Sequence, residues 1–286
     1  MKSRALRSFA GIADRARSVV AAPSPLGEAG NTIAEVLAAS FLSLLVLSVV
    51  FGAVRSQGRS AAMQSGAADA HLTIRGASEI LLSDLRMTGF GMLAVPPASG
   101  LPPIEVTRGS GTTSLVLRGN FSNATAALAQ AAAVGATQLV VTPPAGSGAF
   151  KAGNRVVIDS GLASEVKVVT GVSASGSNVV LSLGSPLSRS FPIGPDVAQV
   201  ESVAYEWTGG VLRRSGQVLA DDVTSFDLLF IDQAGSQAVD PGTSPRSVVL
   251  SLGARQSAPS PEAPKVASSI SVEAHLRNLA MRWDAG

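Results

Sequence analysis

Residues 36–54, VLAASFLSLLVLSVVFGAV, form a run of 19 side chains without a charge, and Glu35 stands directly in front of it. At ~1.5 Å of rise per residue a helix of this length nearly crosses the ~30 Å hydrocarbon core of a bilayer. The apolar core of a cleaved secretory signal is shorter, ~7–15 residues, and is followed closely by small residues at the cleavage site. Phe51-Gly52-Ala53 fits that pattern poorly. The run therefore reads as a membrane-spanning helix. Lys2, Arg4, Arg7, Arg15 and Arg17 precede it and, by the positive-inside rule, hold the N-terminus in the cytoplasm, with Arg55 and Arg59 weakening the contrast on the far side. Everything after Val54 is then exported.

Glu35 is the unusual residue. A carboxylate that enters the hydrocarbon costs up to ~3 kcal/mol on insertion scales, so it is a functional-site candidate that needs a cationic partner. An uncleaved signal anchor, the plainer alternative, needs no special residue at this boundary. The stretch Gly30-Asn31-Thr32-Ile33-Ala34-Glu35-Val36-Leu37 resembles the class III signal of type IV prepilins and pseudopilins. The resemblance implies that a prepilin peptidase cuts after Gly30 on the cytoplasmic side. It also implies N-methylation of the new amine at Asn31, and subunit docking through Glu35. Asn31 stands where the family usually has Phe or Met, and Ala34 where it has a large aliphatic residue. A free α-amino group, with a pKa near ~8, is mostly cationic at neutral pH and could pair with a neighbouring subunit's Glu35 in a low-dielectric filament core.

Removing such a leader changes the charge balance. The whole chain carries a net charge of +2, residues 1–30 carry +3, and the remainder therefore carries −1. No basic excess is left for a nucleic acid partner. The absence of cysteine excludes disulfides, thiolate metal sites and a cysteine nucleophile. His71 and His275 are too few for a histidine metal cluster, so neither metal nor cofactor is expected. His71 reads as exposed or lightly packed on a helix, His275 as part of a last strand. The serines near Gly171 and Gly176 miss the spacing of a nucleophile elbow, and Gly109-Ser110-Gly111-Thr112-Thr113 lacks the lysine of a phosphate loop. Asp221, Asp222, Asp232 and Asp240 lack the spacing of a calcium loop and read as solvated turns. Asn120 and Asn123 each begin a short glycosylation pattern. No enzymatic activity is expected.

Beyond Arg55, Met63, Ala67, Ala70, Ile74, Ala77, Leu81 and Leu85 recur every three or four residues, and no proline stands between Pro25 and Pro96. One helix from about Ile33 to Thr88 is predicted, its first half in lipid and its second packed along a globular head. Gly58, Gly66 and Gly76 are places where it bends or melts locally, and Gly89 is its stop. Glu79-Ile80-Leu81-Leu82-Ser83-Asp84-Leu85-Arg86-Met87-Thr88-Gly89-Phe90 resembles the helix end of PilW-type minor pilins and J-type pseudopilins. Asp84 and Arg86 read there as solvated, with Phe90 packing back.

From Leu101 onward short β-branched runs alternate with turn residues, which predicts strands at 115–118, 138–142, 155–158, 165–170, 178–183, 200–207, 223–231, 247–252 and 268–276. Thr208-Gly209-Gly210 turns one strand into Val211-Leu212-Arg213 as a hairpin with Val203, Tyr205 and Trp207 on its buried face. Residues 123–134, rich in alanine, read as a short helix or an irregular crossing, and 256–265, with Pro259, Pro261 and Pro264, as a loop. The order of Tyr205, Leu212-Arg213-Arg214, Asp221-Asp222-Val223, Ser247-Val248-Val249 and Leu276-Arg277-Asn278 resembles the C-terminal half of PilW-type proteins.

The expected architecture is α+β, pilin-like: a leader at 1–30, a membrane and filament-core helix at 31–54, its amphipathic continuation at 55–89 and a mostly antiparallel β head at 90–286. The resemblance implies a minor pilin of a type IV pilus, which initiates or caps the filament. Its partners would be prepilin peptidase, other minor and major pilins, the inner-membrane assembly platform and membrane lipid, with no nucleic acid. It would cross the inner membrane once, with the head periplasmic, and later reach the pilus at the cell surface. A J-type pseudopilin of type II secretion and an uncleaved, signal-anchored β domain that binds a ligand stay open beside it.

Overall fold

A proline-free stretch of this length can carry one unbroken helix, and it does so: α1 spans Ile33–Met87, 55 residues. In this computed structural model residues 33–92, 101–241, 245–255 and 267–280 are described; the leader, Gly30, Asn31 and the predicted loop at 256–265 lie outside them. The helix is continuous through Gly58, Gly66 and Gly76, so it does not melt at these glycines, one of the two outcomes the sequence predicts there. For Gly66 and Gly76 the stripe around them supplies the reason. Ala70, Ile74, Ala77, Leu81 and Leu85 are all buried in one apolar cluster with the sheets, and such packing outweighs the ~1 kcal/mol that each glycine costs.

The chain divides into two compact units, Met1–Gln57 and Gly58–Gly286. In the first, described from residue 33, the helix is long and apolar enough to cross a membrane and none of its apolar window is buried. The second holds the remainder of α1 and all the strands.

The second unit is built from antiparallel strands throughout. Its scaffold contains β1 (Ile104–Gly109), β2 (Thr112–Gly119), β8 (Asp196–Thr208), β9 (Val211–Arg214) and β10 (Gln217–Ala220), paired in the order β1-β2-β8-β9-β10. A separate four-stranded sheet has the order β12 (Gln237–Ala238), β11 (Val223–Asp232), β13 (Pro245–Arg255) and β14 (Ala267–His275). Both contribute to the cluster that receives α1, through Leu115, Leu117, Val203, Tyr205 and Leu212 from the first and Phe226, Leu228, Leu250 and Leu252 from the second. A short α2, Arg277–Ala280, closes the described chain.

Between β2 and β8 the chain builds β3 (Thr125–Leu128), β4 (Gln138–Thr142), β5 (Arg155–Asp159), β6 (Ser164–Ser175) and β7 (Asn178–Leu183). These strands pair in the order β3-β4-β7-β6-β5, and the first half of β8 pairs with both β3 and β5, so the ring closes as a small barrel. Closure removes free edges. The barrel has its own core, with Leu128, Leu139, Val141, Ile158, Leu181, Phe191 and Val197. Gln199, fully buried where the barrel meets the scaffold, is held by the Lys151 N–H at 2.6 Å and by donating to Glu201 Oε1 at 2.8 Å. A buried amide needs such partners.

The segment predicted as a short helix or irregular crossing is thus partly a strand. Ala124, Ala126 and Leu128 alternate inward, a period of two that decides for β3, and Ala132 adds a bridge to Phe191. Strands β1, β10 and β12 are additions to the expected set.

Candidate functional site: the apolar helix and the Asp84 junction

Glu35 lies in the first turn of α1, exposed, where the helix dipole favours a carboxylate. Ala39, Ser43 and Leu47 follow it at intervals of four on one helical face and, with Glu35, line a shallow depression. The hydroxyls within the apolar run are satisfied without outside help: Ser40 Oγ donates to Val36 O at 2.7 Å, Ser43 Oγ to Ala39 O at 2.8 Å, and Ser48 Oγ to Leu45 O at 2.8 Å. Back-bonded serines can therefore face lipid or another helix at low cost. Glu35 is the one carboxylate on residues 33–57. Gly30 and Asn31 are outside the described residues, so of the three predicted site residues only Glu35 has a place in the structure.

The second polar feature sits at the other end of α1, within the second unit. Asp84, expected to be solvated, is 9 % exposed and faces the head. Its Oδ2 accepts from Tyr205 Oη at 2.5 Å and from Arg214 Nε at 2.8 Å, and its Oδ1 accepts from Arg214 Nη2 at 3.2 Å. The hairpin explains the correction. Gly209 and Gly210 both have positive φ, 57° and 83°, as a tight two-residue turn requires, and counting back from Thr208↔Val211 sets Tyr205 opposite Arg214. Both side chains then reach the same carboxylate.

Burial pushes the Tyr205 hydroxyl well above its usual range, and the Asp84 carboxylate raises it further, so it remains a protonated donor. The bond to Asp84 raises Arg214, over the opposing effect of burial, so its charge is fixed. The arrangement ties helix to hairpin through a protonated Tyr205 and a charged Arg214 on one carboxylate.

The end of the helix is fastened from three sides. Thr88, fully buried, returns its hydroxyl to Asp84 O at 2.9 Å. Asn278 Nδ2 donates to Arg86 O at 3.0 Å and Thr88 O at 3.3 Å, which caps carbonyls that the helix leaves open. Gly89, at φ 79°, turns the chain as the sequence predicts and donates its N–H to Arg118 O at 2.8 Å. Arg86 is exposed as expected, but Phe90 does not pack back. Leu279 lies over Gly89, where an added Cβ would collide with its side chain, and Phe90 is left 38 % exposed.

The remaining candidates do not converge. His71 and His275 are both exposed, and His71 Nδ1 lies 3.2 Å from Ser268 Oγ. Asp232 accepts from the Ser236 N–H, whereas Asp240 pairs with Arg108 at 3.0 Å. Among the described residues no three His, Cys, Asp or Glu are grouped as a metal would require. Asn120 is fully buried and bonded through both side-chain atoms to Ala124, so in the folded chain it is closed to a glycosyl transfer. Sequence reasoning missed the Asp84 junction. The hairpin register was in reach, but nothing local pairs Arg214 with a residue 130 positions earlier.

No protein-family model, curated protein or solved structure matches the chain.

Proposed function

We propose that the chain is a PilW-type minor pilin of a type IV pilus. Prepilin peptidase cuts it after Gly30, Asn31 becomes the methylated N-terminus, and Glu35 docks the subunit through the amine of a neighbour. The observation that carries this reading is Glu35 itself, a lone carboxylate in the first turn of an exposed apolar helix, directly after a Gly30-Asn31 junction. Such a charge is costly in a membrane unless a cation meets it. The head supplies lateral contacts, and no enzymatic step is assigned. In this reading the inner membrane holds the precursor, and the pilus and cell surface hold the product.

A Glu35→Ala chain produced in its native cells tests the docking role. Loss of the subunit from sheared filaments, with the precursor still processed, supports it; normal incorporation would show that the carboxylate is dispensable. A J-type pseudopilin would use the same chemistry, and its loss would abolish protein secretion rather than piliation.

One observation favours the ligand-binding alternative. A cavity of about 540 Å3 at strands β3, β5 and β8 is lined by Thr125, Ala127, Pro143, Asp159, Asp196 and Ala198, among others. That volume is within the ~300–1,000 Å3 of small-molecule sites. The two readings part at the N-terminus, cleaved in one and intact in the other.

A further inference from the structure

Strand β8 runs between β3 and β5, and the register sets two rows of residues side by side across the three strands. Ala127, Asp196 and Asp159 form one row, and Thr125, Ala198 and Val157 form the next. The residues between the rows, Ala126, Val197 and Ile158, are buried in the barrel core, so the period of two puts both rows on the other face. All six line the cavity of about 540 Å3. The second row and Ala127 are small or apolar, whereas the first row ends in two acids. Asp159 stands directly opposite Asp196 in an antiparallel pair, where like charges with Cβ atoms ~4.5–5.5 Å apart are destabilising. Among the described residues neither carboxylate is in an ion pair, and Asp159 Oδ1 accepts only the Gly161 N–H, at 2.8 Å.

That distribution specifies an occupant. We propose that the cavity binds a small organic cation, an ammonium group on an apolar body, with the ammonium between Asp159 and Asp196 and the body against Ala127, Ala198 and Val157. A cation placed there turns an opposition of like charges into two attractions, which a neutral or anionic ligand cannot do. A divalent metal fits less well. Calcium takes ~6–8 oxygen ligands, and among the described residues no third acidic or histidine side chain joins the pair. The apolar part of the lining offers a bare ion nothing, whereas it removes apolar ligand surface from water. The inference rests on the reading of this cavity as a ligand site, and it holds whichever way the N-terminus is processed.

Calorimetric titration of the full chain in non-ionic micelles with 2-phenylethylammonium, beside its neutral counterpart 2-phenylethanol and with empty micelles as the baseline, tests the proposal. The amine should bind saturably at one site and ~10-fold or more tightly than the alcohol. Asp159→Asn combined with Asp196→Asn, which removes both charges at nearly constant shape, should abolish that preference. Ala127→Phe, at an exposed position, should weaken both probes by filling the cavity. Asp196→Asn alone should raise the melting temperature of the ligand-free chain, because it relieves the opposed charges. Equal affinity for amine and alcohol would overturn the inference and leave the cavity a ligand site, whereas saturable binding of neither would overturn both. Amine binding that survives the double substitution, or calcium bound through the two carboxylates in place of the amine, would also overturn it.

Discussion

Arg214 reaches from β9 to Asp84 in the last turns of α1, with Nε 2.8 Å from Oδ2, and Tyr205 shares the same oxygen. One carboxylate thus fixes the helix against the hairpin. Asp84→Ala leaves the Tyr205 hydroxyl buried without its acceptor and Arg214 without its counter-charge. Arg214 has a side chain 38 % exposed, so water recovers part of that loss. Chemical denaturation should give a loss of ~1–3 kcal/mol for Asp84→Ala and about 1 kcal/mol for Tyr205→Phe. A double-mutant cycle between Asp84 and Arg214 should show coupling of ~1 kcal/mol. Additive single effects would mean that the bonds contribute nothing in solution.

Gly89 carries two constraints at once, a φ of 79° and the Leu279 side chain over it. Gly89→Ala should cost ~1–2 kcal/mol in the same assay, because alanine is strained at this φ whatever the space. Combining it with Leu279→Ala should relieve the steric part and leave the backbone part. If Gly89→Ala is silent, the helix does not end as described.

Stability should depend on pH through Glu165. Its carboxylate lies 2.7 Å from Lys167 Nζ and accepts from the Ser188 N–H at 2.9 Å, with both side chains 11 % exposed. Burial alone raises its pKa, but the bonds to Lys167 and Ser188 outweigh that and hold it below 4.5. A lowered folded value means stability that is present above the unfolded value and lost as pH falls through the folded one. The advantage of wild type over Glu165→Gln should therefore be full near neutrality and shrink as pH falls through and below the ordinary glutamate range. A difference that is constant across that range would assign the effect to packing.

The sequence makes the repeated local features legible. Strands at 138–142 and 178–183 have the bounds predicted for them, because β-branched runs end there at turn residues. Gly209-Gly210 announces its hairpin. What escapes is non-local. In β3 alanines occupy both faces, so the inward alternation of Ala124 and Ala126 is hidden beside Ala127. The barrel closes only because β8 pairs with β3 and β5 over one half and with β2 and β9 over the other, a division that no window of sequence displays. Asp84 reads as a surface acid until that folding delivers Arg214. Glu35 is the opposite case: the role proposed for it is read from its neighbours in sequence and needs no tertiary contact.

The central claim concerns the N-terminus. Intact-mass and N-terminal peptide analysis of the protein isolated from its native cell envelope measures it directly. The account predicts a chain that begins at Asn31, with the mass of residues 31–286 plus one methyl group on the α-amine. A chain that retains Met1 and the residues up to Gly30 would contradict it.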